Sequence, residues 1–128
     1  MKKEFVTHEI ALALKELGFD EECLAVFSDD KYFDLIHVCE NQTEGNFVIE
    51  SFQYGTKAPL WQQAFRWFRV KHNLDSWIYS PNESKGYFAI ILKDKRFVSY
   101  NEQFDTYEEA ELACLNKLIE IVKNGNNS

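Results

Sequence analysis

The residues best suited to chemistry are His37 and Cys39, which lie two positions apart at the end of the apolar run KYFDLIHVC. An imidazole and a thiol on one face of a strand are the ligand types that zinc prefers. If the preceding run ECLAVFS pairs with this strand through a turn at Asp29-Asp30, Glu22 faces His37 and becomes a third candidate. Mixed ligands without C-x-x-C or H-x-x-x-H spacing favour a hydrogen-bonded strand histidine over a metal site. We therefore expect no metal and no cofactor.

Catalytic motifs are otherwise missing from the sequence. His8 and His72 are single histidines on predicted helices, and no motif places a Ser or Cys beside them for proton shuttling. The chain has no Gly-rich phosphate loop, no H-E-x-x-H and no spaced Asp-x-Asp calcium loop. If the protein is an enzyme, its active site must be assembled from residues that are distant in the sequence. The best available cluster is His37, Cys39 and Glu22.

Length and composition predict one α+β domain spanning residues 1–128. The chain is 45% hydrophobic and 16% aromatic with only 5 Gly and 2 Pro, which favours a packed core over disorder. Its formal net charge of −7 disfavours nucleic acid and anionic membranes as partners. No apolar run approaches the ~18 residues of a bilayer span, and no leader-like segment follows the N-terminal lysines, so we expect a cytoplasmic protein. The three cysteines have no paired spacing and are expected to be small buried hydrophobes.

The elements that must position any site follow the order α-βββ-α-βββ-α, with antiparallel strands and helices packed over them. The helices are THEIALALKELGF, a second from Pro59 to about Asn73, and TYEEAELACLNKLIEIVKNG; the strands are ECLAVFS, KYFDLIHV, NFVIESFQY, SWIYS and the hairpin GYFAIILKDKRFVSY. Thr7 and Thr106 are expected to cap the first and last helices, while Gly18 and Gly125 are expected to end them. The hairpin is expected to turn at Asp94-Lys95.

The second helix carries two apolar ridges at helical spacing. The predicted core ridge is Trp61, Phe65, Phe68 and His72, the second ridge is Trp67, Val70 and Leu74, and the wet, basic face is Gln62, Arg66 and Arg69. Two interpretations stay open: neighbouring elements cover both ridges, or Trp67 is partly exposed beside Arg66, a pair enriched in binding hot spots. Trp67, Arg66, Arg69 and Val70 are the predicted interaction surface, with Trp67 as the ring expected to reach the surface or a subunit interface.

The last helix has an apolar arc of roughly 180°, wider than one sheet contact needs. Its members are Ala110, Cys114, Leu115, Leu118, Ile119, Ile121 and Val122. Leu118 and Ile121 are expected to be fully buried. Glu108 and Glu111 lie near the start of this predicted helix, where carboxylates interact favourably with the helix dipole.

From Pro59 onward the order α-βββ-α resembles the topology of double-stranded RNA-binding domains. That family carries lysines at the start of its last helix to hold phosphate, whereas this chain has Tyr107-Glu108-Glu109-Ala110-Glu111 there. The resemblance therefore implies a topology without the activity, apart from weak contacts through Arg66, Arg69 or Lys71.

Three blocks, IALALKELGFDEEC, APLWQQAFRWFR and YEEAELACLNKLIEIVK, resemble a group of small uncharacterised proteins of phages and prophage-like regions of gut bacteria. The resemblance covers roughly a third of the chain and implies a phage or mobile-element setting without a mechanism. We expect a non-enzymatic binding protein that engages a protein partner or self-associates. The alternatives are an enzyme around His37 and Cys39, and an acidic inhibitor of a host protein that acts on nucleic acid.

Overall fold

The computed structural model of the protein describes residues 2–28, 33–35, 38–41, 46–49, 55–81, 86–100 and 103–126. The chain divides into two compact units, Met1–Trp61 and Gln62–Ser128. Helices and antiparallel strands together confirm the α+β class. The expectation of a single domain over residues 1–128 stays a prediction.

The first unit contains short strands and one longer helix. In chain order the elements are a 3-10 helix Lys2–Glu4, α1 His8–Glu16, β1 Ala25–Phe27, β2 Phe33–Leu35, β3 Val38–Asn41, β4 Asn46–Ile49 and β5 Thr56–Ala58. The expected βββ order is therefore wrong here. The predicted strand KYFDLIHV corresponds to two strands in different sheets, and β5 was missed because a three-residue strand carries too little alternation to be recognised.

Local capping fixes both ends of α1, as the sequence predicted. The Ile10 amide donates to the Thr7 hydroxyl at 3.3 Å. After the helix, Gly18 takes a φ of 97°, and the Phe19 amide donates back to the Leu14 carbonyl at 3.0 Å. The buried face of this helix then lies beside β5.

β1 is the central strand of a three-stranded antiparallel sheet in the order β2-β1-β5. Ala25 pairs with Leu35, so the predicted register, which placed Glu22 opposite His37, is wrong by one residue. All three residues of β1 are buried, and a strand that is apolar on both faces does not specify its register by alternation. β3 and β4 pair in a separate two-stranded sheet.

The second half of the predicted order is confirmed. Its elements are α2 Trp61–His72, β6 Leu74–Tyr79, β7 Phe88–Lys93, β8 Arg96–Tyr100 and α3 Tyr107–Asn126. The three strands form an antiparallel sheet in the order β6-β7-β8, and α3 lies against β6 and β7. Pro59 is not the first helical residue, because its carbonyl accepts a hydrogen bond from the Val6 amide at 3.0 Å instead.

The turns of the second unit use left-handed backbone conformations. Asp94 and Lys95 have φ values of 52° and 66°, the two consecutive positive angles of a type I′ hairpin, so the predicted turn is confirmed. Asn73 ends α2 with a φ of 57°. Its side-chain amide donates a hydrogen bond to the Asp94 carboxylate. This bond links the end of α2 to the β7–β8 turn.

α3 supplies much of the core of the second unit. The Glu109 amide donates to the Thr106 hydroxyl at 3.1 Å, which confirms the predicted cap. Leu118 is fully buried as expected, but Ile121 is only half-buried, because the arc is wider than its neighbours cover. Gly125 does not end the helix, which continues to Asn126. In the described parts of the chain, no helix combines the length and apolar character needed to cross a bilayer.

Candidate functional site

Trp67 is buried, so its predicted exposure is wrong. It is only 3% exposed, and its ring packs edge-on against Phe68 and His72 at centroid distances of 5.0 and 4.9 Å. Burial also lowers the pKa of His72, an effect to which the charge of Lys93 adds. The first interpretation, in which neighbours cover Trp67, is therefore the right one for this ring.

The predicted core ridge of α2 is only partly buried. Phe68 is fully buried, while Trp61 and Phe65 are half-buried. The Trp61 indole donates to the Lys3 carbonyl at 3.1 Å, which satisfies its polar atom near the surface. The helix thus buries the arc centred on Ala64, Trp67 and Phe68 and leaves Phe65 at its edge.

The basic face of α2 is exposed as predicted, and so is Val70, which is 70% exposed. Gln62, Arg66 and Arg69 lie on this exposed face. The role of Arg66, Arg69 and Val70 in an interface stays a prediction. The buried Trp67 ring is no longer part of that surface.

A different tryptophan is at the surface. Trp77 on β6 is 49% exposed and borders a groove of about 170 Å³. The groove is lined by Gln62, Phe65 and Arg69 of α2, Ser76, Trp77 and Ile78 of β6, and Tyr107 and Cys114 of α3. The groove therefore follows the free side of β6, where α2 and α3 supply its other walls.

Helix and strand periodicity bring these side chains together. Gln62, Phe65 and Arg69 recur at i, i+3 and i+7 along one face of α2, and Tyr107 and Cys114 lie two turns apart on α3. Alternation along β6 directs Ser76 toward α3 and Trp77 to the opposite face of the sheet. Each wall of the groove thus comes from regular secondary structure.

Two hydrogen bonds hold the walls of the groove. The Ser76 and Cys114 side chains are hydrogen-bonded, which joins β6 to α3. The Gln62 and Tyr107 side chains are also hydrogen-bonded, which joins α2 to the start of α3. These two contacts therefore join the three elements that line the groove.

Burial raises the pKa values of three titratable groups around the groove. Burial raises the pKa of the Cys114 thiol to about 11, despite the Ser76 hydrogen bond and with a contribution from Glu111. Burial and the Glu111 charge raise the pKa of Tyr107. Burial, helped by Glu108, also raises the pKa of Glu111, which is buried near the start of α3. A protonated thiol and phenol suit hydrogen bonding and are weak nucleophiles.

Two basic clusters that are distant in the sequence meet at one end of the second unit. The Asn73–Asp94 hydrogen bond and the pairing of Leu74 with Lys93 place the end of α2 beside the β7–β8 turn. We call this region the basic corner. Its basic residues are Arg69, Lys71, Lys93, Lys95 and Arg96, which outnumber the two carboxylates of Asp75 and Asp94 at the same end. Arg69 belongs to both the basic corner and the groove, so the groove is positive at one end.

The first unit has a separate cleft of about 350 Å³. It is lined by Ala11, Lys15, Gly18, Phe19, Asp20, Gly55 and Lys57. The Lys57 ammonium donates to the Asp20 carbonyl at 2.9 Å, so one of the two lysines is already engaged by the backbone. Gly55 directly follows residues 50–54, which lie outside the described residues, and we assign no ligand to this cleft.

The predicted His37, Cys39 and Glu22 cluster is not assembled by the strand pairing. Cys39 pairs with Val48 in the β3–β4 sheet, whereas Glu22 precedes β1 of the other sheet, and His37 lies outside the described residues. Within the part of the chain that the structure describes, no group of three or more His, Cys, Asp or Glu could hold a metal ion. Cys23 is buried, and burial raises the pKa of its thiol to about 12, as befits a small core residue.

Trp77, Tyr107 and Gln62 were not recognised as site residues in the sequence. The available signal was the alternation in LDSWIY, which directs Trp77 to the opposite face from Ser76 and Ile78. A scan against protein-family models and searches of the curated proteins and of the solved structures find no match to this chain.

Proposed function

We propose that the protein is a non-enzymatic binding protein that engages a protein partner through the groove of its second unit. The observation that carries the proposal is the exposed Trp77 at the edge of a groove that also contains Arg69. Trp and Arg beside a concave surface are the residue types that dominate binding energy at protein interfaces. A cytoplasmic location and a phage or mobile-element origin belong to the same proposal.

The chemistry of the groove supports binding rather than catalysis. A nucleophile or general base must lose its proton near neutral pH, whereas the pKa values of Cys114 and Tyr107 are both raised. The enzyme alternative at His37 and Cys39 loses the strand register that brought Glu22 to it, because Ala25 rather than Leu24 pairs with Leu35. We therefore favour recognition as the function.

Affinity capture from host lysate tests the proposal when it is done with matched variants. Trp77→Ala should lose the partner that the wild type retains, because it removes half-exposed ring surface at the groove. Phe97→Ala is the control, since Phe97 is 71% exposed on β8 and does not line the groove. Equal capture by the wild type and by Trp77→Ala would contradict the proposal.

A second candidate is an acidic inhibitor of a protein that acts on nucleic acid. Residues 62–128 contain as many acidic as basic side chains, so the whole formal net charge of −7 belongs to residues 1–61. A concentrated negative charge can attract a basic, nucleic-acid-binding surface. Capture that recovers no protein acting on nucleic acid would count against this candidate.

A further inference from the structure

The free side of β6 lacks the features that protect edge strands from pairing. Natural edge strands are commonly protected by lysines, bulges or short length. β6 has six residues in unbroken register with β7, and Asp75 is its only charged residue. In contrast β8, on the other side of the sheet, starts with Arg96 and has a register shift opposite Ile91 and Leu92. Among the described strands, β6 has a neighbour on one side only.

The groove beside this edge has dimensions that favour an extended segment. Pockets for drug-sized ligands have volumes of roughly 300–1,000 Å³, whereas this groove has about 170 Å³. Six residues of β6 extend over ~20 Å at ~3.3 Å per residue. Three of these six residues, Ser76, Trp77 and Ile78, line the groove. A narrow space beside a strand edge suits a peptide in which alternate side chains point into the groove.

The charge of the groove specifies its occupant further. Arg69 is exposed in the groove wall, and in the described part of the chain it forms no ion pair. The rest of the basic corner lies at the same end, while Glu108 and Glu111 accompany Tyr107 at the other. A guanidinium at a defined position is well suited to bind a carboxylate through paired hydrogen bonds.

We infer that an extended segment of a protein partner adds a strand to the free edge of β6, with an Asp or Glu side chain bound by Arg69. Backbone hydrogen bonds to β6 supply part of the affinity, and the apolar walls at Phe65 and Ile78 accept alternate side chains. The basic corner attracts the acidic segment toward the groove before contact. The inference rests on the proposed function and names the chemistry of its partner.

The test uses an array of C-terminally amidated random peptides of about six residues, the length that matches β6, probed with the full chain. The best binder is then resynthesised, and its Kd is measured by fluorescence anisotropy. We expect selected peptides to be enriched in Asp and Glu. Arg69→Gln should raise the Kd by about tenfold or more. The control is Lys123→Gln, at an exposed position of α3 outside the groove and the basic corner, and it should raise the Kd by less than about threefold. Only every second amide of an added strand points toward β6. N-methylation of those amides should abolish binding, whereas N-methylation of the amides between them should be tolerated.

Several results would overturn the inference. They are an array without binders, selected peptides without acidic residues, a Kd unchanged in Arg69→Gln, or tolerance of N-methylation at every position. Arg69-dependent binding of a single-stranded oligothymidylate that displaces the peptide would also overturn it, because the groove would then recognise a nucleic acid. Partner capture that needs Trp77 but occurs without any peptide binding would remove strand addition and leave the proposed function intact.

Discussion

Replacing Trp67 with alanine should destabilise the protein severely. The indole is 3% exposed and contacts the rings of Phe68 and His72 edge-on, at 5.0 and 4.9 Å. Removing a buried aromatic ring leaves a cavity that its neighbours fill only in part, at a typical cost of about 3–5 kcal/mol. That is a large fraction of the free energy of unfolding of a small protein, which is about 5–15 kcal/mol.

Urea denaturation followed by far-ultraviolet circular dichroism measures this loss without relying on the fluorescence of the removed residue. Val70→Ala is the matched control, because Val70 follows Trp67 by three residues on the same sequence ridge but is 70% exposed. Its effect on the free energy of unfolding should stay within about 0.5 kcal/mol. A loss below about 1 kcal/mol in Trp67→Ala, or equal losses in the two variants, would refute the packing of α2 described above.

Three further predictions concern buried groups. Leu118→Ala should lower the free energy of unfolding by about 2–5 kcal/mol in the same assay, since Leu118 is fully buried; a loss below about 0.5 kcal/mol would contradict this. Burial raises the pKa of Glu111 above its ordinary 4.5, so its folded carboxyl favours the proton and its contribution to stability falls as pH rises through the raised pKa. Glu111→Gln should therefore be more stable than the wild type at neutral pH and lose that advantage near about pH 4, and an advantage independent of pH would argue against this cause. Cys23 and Cys114, with pKa values raised to about 12 and about 11, should resist iodoacetamide until the protein is denatured, as mass spectrometry of the labelled peptides can check.

Features set by local interactions were predictable from the sequence. Thr7 and Thr106 cap their helices because each hydroxyl accepts a hydrogen bond from the amide three residues further along the chain. Asp94 and Lys95 form the predicted turn. The turn was recognisable because two short apolar runs flank it in the sequence. Each of these features depends on residues within one turn of chain, so the sequence contains the necessary information.

Features set by packing between distant segments were not predictable in the same way. Helical spacing identifies two ridges on α2, but only the elements packed against the helix decide that Trp67 is buried and Phe65 is half-buried. The three buried residues of β1 allow either register, so the pairing of Ala25 with Leu35 had no local signal. The groove combines α2, β6 and α3, and no spacing within one element could place Tyr107 beside Gln62.

Site-specific photo-crosslinking tests most directly whether the groove is the binding surface. A benzoylphenylalanine placed at Phe65, which lines the groove, should form a covalent adduct with the partner in host lysate. The same photoreactive residue at Phe97, which is exposed on β8 outside the groove, should form none. A partner adduct at Phe97 with none at Phe65 would contradict the account.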